Sequence, residues 1–225
     1  MNLFKKKPEP QNPQPELRDT LFGDLPFNEW PADESSASDE PWATFLRARR
    51  LLGVGDMDGG MKQLQTVLAM RGLESRHYVQ VWHFLRRLGV QPAADIAKHV
   101  YGVIVEVNIE GMGLDIVAAY EDYHARFLHN SGSAIIWEDP DDSLHPHIDA
   151  LLQSARQVMQ YIGPYDQEGH LPPPPPEQVR LNILAPGGLH FGQGPFQVLA
   201  QDAMGGPIIG AATQLMQALI EKSPQ

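Results

Sequence analysis

The stretch that decides the fold runs from Tyr101 to Glu138 and reads YGVIVEVNIEGMGLDIVAAYEDYHARFLHNSGSAIIWE. It holds four short apolar runs that are separated by turn residues. In the first run, residues 103–109, apolar side chains alternate with a second set that includes Glu106, which indicates a half-buried strand. Connections as short as these join only antiparallel neighbours, because a parallel pair needs a crossover of about a dozen residues or more. The stretch therefore predicts a four-stranded antiparallel meander.

The residues after the meander predict a helix, two further strands and a last helix. Apolar residues recur every three or four positions from Leu144 to Ile162, which is the stripe of an amphipathic helix. Alternation at 179–183 predicts the fifth strand, and residues 191–199, interrupted by Gly192 and Gly194, are predicted as the sixth. A stripe at 207–220 predicts the last helix. The order ββββαββα predicts an α+β fold, an antiparallel sheet with helices on one face. The other face is either covered by the preceding helices or open as a binding surface.

Upstream of the meander, helical periodicity predicts a small helical domain over residues 41–100, followed by a sheet domain over residues 101–225. The predicted helices begin near Trp42, Asp58, Ser75 and Ala93, and the last of them ends near His99.

The first 40 residues are rich in proline and acidic residues, a composition typical of a disordered tail. An apolar segment, residues 21–30, interrupts this composition. We expect it to dock on its own fold in preference to a partner protein, because isolated aromatic residues generally pack into the nearest groove.

The bulk composition excludes several classes of protein. A formal net charge of -11 argues against electrostatic binding to nucleic acid. The absence of cysteine excludes disulfides, thiolate zinc sites and thiol nucleophiles. No apolar run approaches the length of about 18 residues that a membrane-spanning helix needs, and the first 16 residues lack the apolar core of a signal peptide. We therefore expect a cytoplasmic protein without a membrane span.

Five consecutive prolines, Pro172–Pro176, lie between the helix after the meander and the fifth strand. Such a run favours the extended left-handed polyproline conformation. It serves either as a stiff connector or as a ligand for aromatic grooves, and we favour the connector.

Three runs resemble those of an uncharacterised family of bacterial cytosolic proteins: Gly72–Tyr78, Tyr120–Glu138 and Leu189–Phe196. The resemblance covers residues from about 17 to 221. It implies a bacterial, cytoplasmic protein, and it transfers no activity, cofactor or catalytic residue.

The histidines do not form a recognisable metal motif. His124 and His129 bracket the third strand and point to opposite faces, whereas His145 and His147 lie near Asp141 and Asp142 at a helix start. No HExxH or comparable spacing occurs. We predict no metal and no cofactor, and we interpret these histidines as surface or capping residues.

An enzyme is the alternative interpretation. A serine hydrolase would use Ser131 and His129 with Asp115 or Glu138, but Asn130-Ser131-Gly132 is also an ordinary hairpin turn. An acid–base pair would come from carboxylates at outward strand positions and turns. These carboxylates are Glu106, Asp115, Glu121 and Asp122. This alternative, a hydrolase or small-ligand-binding enzyme, places a site near His124, His129, Ser131 and His190.

We favour a non-enzymatic protein-interaction module with an unidentified protein partner, and we assign no catalytic residue. The oligomeric state stays open. The predicted binding surface lies where the third helix meets the meander, and it comprises Arg76, His77, His83, Arg126 and Trp137.

Overall fold

The computed structural model describes residues 15–31, 39–167 and 169–223 of the 225-residue chain. The helices are α1 (Pro15–Asp19), α2 (Trp42–Gly53), α3 (Met57–Ala69), α4 (Ser75–Arg87), α5 (His145–Val158), α6 (Phe196–Leu199) and α7 (Gly205–Lys222). The strands are β1 (Gly102–Ile109), β2 (Gly113–Tyr120), β3 (His124–Leu128), β4 (Ala134–Glu138), β5 (Gln178–Ala185) and β6 (Gly188–Pro195). Single turns of 3-10 helix cover Phe27–Glu29 and Asp142–Leu144. None of the described helices is long and apolar enough to cross a membrane.

The six strands form one antiparallel sheet in the order β4-β3-β2-β1-β5-β6. The meander places β1 to β4 in sequence, and the last hairpin adds β5 and β6 on the free side of β1. The predicted α+β architecture is confirmed. The central strand β1 departs from the expectation of one buried face, because both of its faces are covered, and even Glu106 is 0% exposed.

Helices α5 and α7 cover one face of the sheet. Their apolar stripes, which include Ile148, Leu152 and Leu215, pack against strand residues such as Val105 and Val117. This is the expected result for amphipathic helices that follow a sheet in sequence, since each buries its apolar side against the nearest apolar surface.

The opposite face is covered by α4 and by the residues that follow α1. Leu21 and Phe22 are 1% and 3% exposed, and they pack with Val79 of α4 against this face. Gly23 has a φ of +62°, and a side chain there would clash with the carbonyl oxygen of Arg76, so glycine permits the close approach to α4. The apolar segment thus docks on its own chain. The rest of the predicted tail, residues 1–14 and 32–38, lies outside the described residues.

The helix predicted at residues 93–99 does not form. The segment consists of turns, and Ile96 is 39% exposed. It has no apolar stripe to bury. Instead it approaches the β5–β6 turn, where the backbone N–H of Gly187 donates to the carbonyl of Ala97 over 2.9 Å. The sixth strand also ends earlier than predicted, because residues 196–199 form α6.

Candidate functional site: a proline strap held on the sheet

The residues Leu171–Pro176, which we call the proline strap, are buried with a period of three. Pro174 is buried and Leu171 is half-buried, whereas Pro172, Pro173, Pro175 and Pro176 are exposed. The left-handed polyproline helix has three residues per turn, so positions three apart share one edge. One edge of the strap therefore faces the protein, and the other two edges face solvent.

Side-chain donors on three different elements hold the strap through its backbone carbonyls. Proline has no backbone N–H, so a proline run binds to its own fold only through carbonyl acceptors and side-chain contact. The bonds run from Arg18 Nη2 to Leu171 O (2.7 Å), from Asn108 Nδ2 to Pro174 O (2.7 Å) and from Arg180 Nη1 to Pro172 O. The strap is thus fixed along its inner edge.

A buried carboxylate, Glu106 in β1, organises these donors. Its Oε1 accepts from Arg18 Nε over 2.7 Å, and its Oε2 accepts from Asn182 Nδ2 over 3.0 Å. Arg180 Nη1 lies 3.7 Å from the same Oε2, because the register of β1 and β5 places residues 106 and 180 directly opposite each other. One carboxylate therefore lies between two buried guanidinium groups, an arrangement that persists only where every charge has a partner.

The sequence interpretation did not identify Arg18, Asn108, Arg180 or Asn182, and it treated Glu106 as an outward carboxylate. A usable signal was present, because a single acid interrupts the apolar alternation of β1 and a single arginine interrupts that of β5. Opposite charges in two neighbouring, mostly apolar strands favour a cross-strand pair.

Three of the carboxylates in the acid–base alternative bind separate partners. Asp115 Oδ1 accepts from the backbone and side-chain amides of Asn130, Glu121 binds His99, and Asp122 caps α4 at the N–H of Ser75. Each carboxylate has a separate structural partner.

Two residues of the predicted binding surface, Arg76 and Arg126, lie on the same face of the sheet. Both influence the same tyrosine, Tyr120. Arg76 Cζ lies 5.7 Å from the centre of the Tyr120 ring. Burial lowers the pKa of Arg126, and the nearby charge of Arg76 lowers it further. Burial likewise raises the pKa of Tyr120, against the opposing effect of both arginines.

The other members of that predicted surface are dispersed. Trp137 packs into the core on the α5 and α7 face, so only its carbonyl meets Arg126, whose Nη1 donates to it over 2.8 Å. His77 lines a small cavity beside Trp42 that Arg76 also lines, and burial lowers the pKa of His77. His83 lies further along α4 and lines a different cleft. The five side chains do not converge on one surface.

The residues of the enzyme interpretation are likewise separated. His129 Nδ1 lies 2.7 Å from Ser131 Oγ, but both side chains are in an exposed turn, and Asp115 is engaged by Asn130. Glu138 is at the far end of the β3–β4 pair, 3.5 Å from Arg126. Among the residues that the structure describes, the His129 ring has hydrogen bonds only to Ser131, whereas a hydrolytic triad requires a further group that orients the imidazole.

His124 and His190 do not complete that site. His124 begins β3 while His129 follows its end, and His190 is buried in β6 at the opposite edge of the sheet. Within the described ranges, no group of three or more histidine or acidic side chains is arranged to hold a metal ion.

Comparisons of the chain with protein-family models, curated proteins and solved structures found no match.

Proposed function

We propose that the protein is a protein-interaction module that presents its proline strap to an aromatic-lined groove of a partner protein. The observation that carries the proposal is the period of three in exposure: the dipeptides Pro172–Pro173 and Pro175–Pro176 face outward, while Pro174 faces the sheet. Grooves that recognise polyproline segments accept two such ridges and leave the third edge uncontacted.

The anchoring of the strap supports the same proposal. A polyproline segment loses little conformational entropy on binding, and one whose carbonyls are already fixed loses still less. The donors Arg18, Asn108 and Arg180 bind backbone carbonyls, so the rings of the outward prolines stay exposed and can contact a partner.

We infer a bacterial cytoplasm as the setting, and this inference rests on the resemblance described for Gly72–Tyr78, Tyr120–Glu138 and Leu189–Phe196.

The test is quantitative affinity capture from bacterial cytoplasm, with mass spectrometry, using the full chain and matched variants. Pro172→Ala/Pro175→Ala alters one outward edge, and Pro173→Ala/Pro176→Ala alters the other. Pro140→Ala replaces an exposed proline outside the strap and serves as the control. We expect one protein to be captured by the full chain and by the control, with at least about a tenfold loss for each double variant, or about 1.4 kcal/mol.

A second experiment separates strap recognition from any other contact. The captured protein is purified and titrated with a synthetic peptide of residues 169–178 and with a peptide in which alanine replaces all five prolines. The proline peptide should compete more weakly than the folded chain, because it is not pre-ordered, and the alanine peptide should not compete. Equal capture by all variants, or equal competition by both peptides, would refute the proposal.

A further inference from the structure

A cleft of about 280 Å³ lies between the end of α4, the β5–β6 turn and residues 164–167. It is separate from the proline strap. Arg86, Arg87 and His83 of α4 contribute its basic side, and the turn contributes Gly187 and Gly188.

Arg86 is the unusual member of this lining. Its Nη1 donates to the carbonyl of Pro186 over 2.6 Å, and its Nε and Nη2 make no hydrogen bond to any part of the chain that the structure describes. No carboxylate among those residues lies within ion-pair distance of it. Burial lowers the pKa of Arg86 to about 10, against the opposing charge of Asp24. The Nε–Nη2 edge of this guanidinium is therefore free. The two N–H donors on that edge match the two oxygens of a carboxylate.

Part of the cleft lining is apolar. Phe22, Val79, Leu184 and Leu189 line it, and Phe22 is fixed by stacking on His170 at 4.2 Å between ring centres. A pocket that combines an apolar wall with a few charged or polar groups is typical of a site for a small organic ligand.

The remaining charges favour a singly charged ligand. Asp24 and Asp166 also line the cleft, and the carboxyl end of α4 carries partial negative charge. Together they oppose a phosphate dianion more strongly than a carboxylate, because the repulsion grows with the charge of the ligand.

We propose that the cleft binds a small organic carboxylate, with its charged group on the Nε–Nη2 edge of Arg86 and an apolar body against Phe22 and Leu189. The proposal is independent of the proline strap, because no residue of the strap lines the cleft.

The test is titration of the full chain, by calorimetry and by amide chemical shifts, with acetate, isocaproate and phenylacetate. Isocaproamide and phenylacetamide are the uncharged controls, and inorganic phosphate is the competing anion. We expect saturable binding that strengthens from acetate to the two larger carboxylates, with shifts confined to the parts of the chain that line the cleft: α4, the segment around Phe22, residues 164–167 and the β5–β6 turn. The amides should bind at least about tenfold more weakly.

Two variants connect binding to Arg86. Arg86→Gln removes the charge, and Arg86→Lys retains the charge but lacks the two-pronged edge, so both should weaken phenylacetate, the first more than the second. Arg71→Gln, an exposed arginine away from the cleft, should leave binding unchanged. The lysine variant keeps the test decisive if the glutamine variant is poorly folded. Binding that survives both Arg86 variants, tighter binding of phosphate than of any carboxylate, or no binding of the carboxylates would each overturn the proposal.

Discussion

Glu106 determines the stability of the face that carries the strap. It is fully buried between Arg18 and Arg180, so its removal takes the buried carboxylate away from both guanidinium groups, although Arg18 keeps a 3.4 Å contact with the partly exposed Asp19. We predict that Glu106→Gln lowers the free energy of unfolding by about 3–5 kcal/mol, the usual loss when one partner of a buried ion pair is removed. Urea denaturation followed by circular dichroism measures this change.

The matched control is Glu110→Gln, four positions further along the chain and exposed to solvent. It removes the same charge and should change stability by no more than about 0.5 kcal/mol. If the two variants were equally stable, the network around Glu106 would contribute nothing, and the anchoring of the strap would need another explanation.

His170 joins the segment after α1 to the loop before the strap. Its Nδ1 lies 2.9 Å from Asp24 Oδ2, and its Nε2 lies 3.0 Å from Asp19 Oδ1. Burial and the charge of Arg18 lower the pKa of His170, but the hydrogen bonds and charge of Asp24, with the bond to Asp19, outweigh them and raise it above 6.5. Only the protonated ring donates to both carboxylates, so protonation stabilises the fold.

This gives the pH dependence a definite sign. The stabilising contribution is complete below about pH 6.5, the value for an unfolded histidine, and it is lost as the pH rises through the higher folded pKa. We predict that His170→Gln costs about 1–3 kcal/mol at acidic pH and that the cost shrinks toward alkaline pH. Urea midpoints of both proteins across this range measure it. A cost that grows with pH would contradict the prediction. His77 and His190 contribute a pH dependence of stability with the opposite sign, but they are present in both proteins, so their contributions cancel in the comparison.

Among the elements, the segment after α1 behaves as part of the core although its composition resembles a tail. Leu21 is buried, and its carbonyl accepts from the hydroxyl of Tyr120 over 2.8 Å. We predict that Leu21→Ala lowers the free energy of unfolding by about 2–5 kcal/mol, as expected for a fully buried leucine. Met112→Ala, at a residue that is 55% exposed in the β1–β2 turn, is the control, and it should cost about 0.5 kcal/mol or less. Equal, small costs in a urea titration would show that the segment does not contribute to the core.

The sequence predicts those elements whose apolar pattern matches their packing, and it fails where packing partners are distant in the chain. The local spacing of apolar residues and the short turns were enough to predict the meander and α5. The prediction of a helix at residues 93–99 was wrong, because a helix of that length is stable only when it packs against the rest of the protein. The backbone of Ala97 binds the β5–β6 turn instead.

The candidate site was harder to predict than the fold for the same reason. Arg18 and Glu106 are 88 positions apart, and no local pattern indicates that they meet. Arg86 gave no signal as a binding residue, because a basic residue in the last turn of a helix is common for electrostatic reasons alone. The sequence predicted the polyproline conformation of the strap but not which prolines are exposed. The edge that faces the protein depends on which carbonyls bind Arg18, Asn108 and Arg180.

In the whole molecule, the helical part and the sheet share side chains. Helix α4 contributes Val79 to the core on the sheet and Trp82 to the core between the helices, and Tyr101 packs against both cores. The segment after α1 does the same, because Leu21 reaches the sheet while Phe27 packs on the helices. The division into residues 41–100 and 101–225 stays a prediction about sequence organisation, and these shared contacts favour joint unfolding of the two parts.

We therefore predict one cooperative unfolding transition. In a Trp137→Phe variant the remaining tryptophans, Trp30, Trp42 and Trp82, all pack within or against the core between the helices, so fluorescence reports that part alone. Circular dichroism in the β-sheet region follows the other part. In a two-state transition the two signals share one midpoint and one slope in urea. A fluorescence transition that clearly precedes the loss of sheet signal would instead show that the helices unfold alone and that the contacts of Val79 and Tyr101 are too weak to couple the two parts.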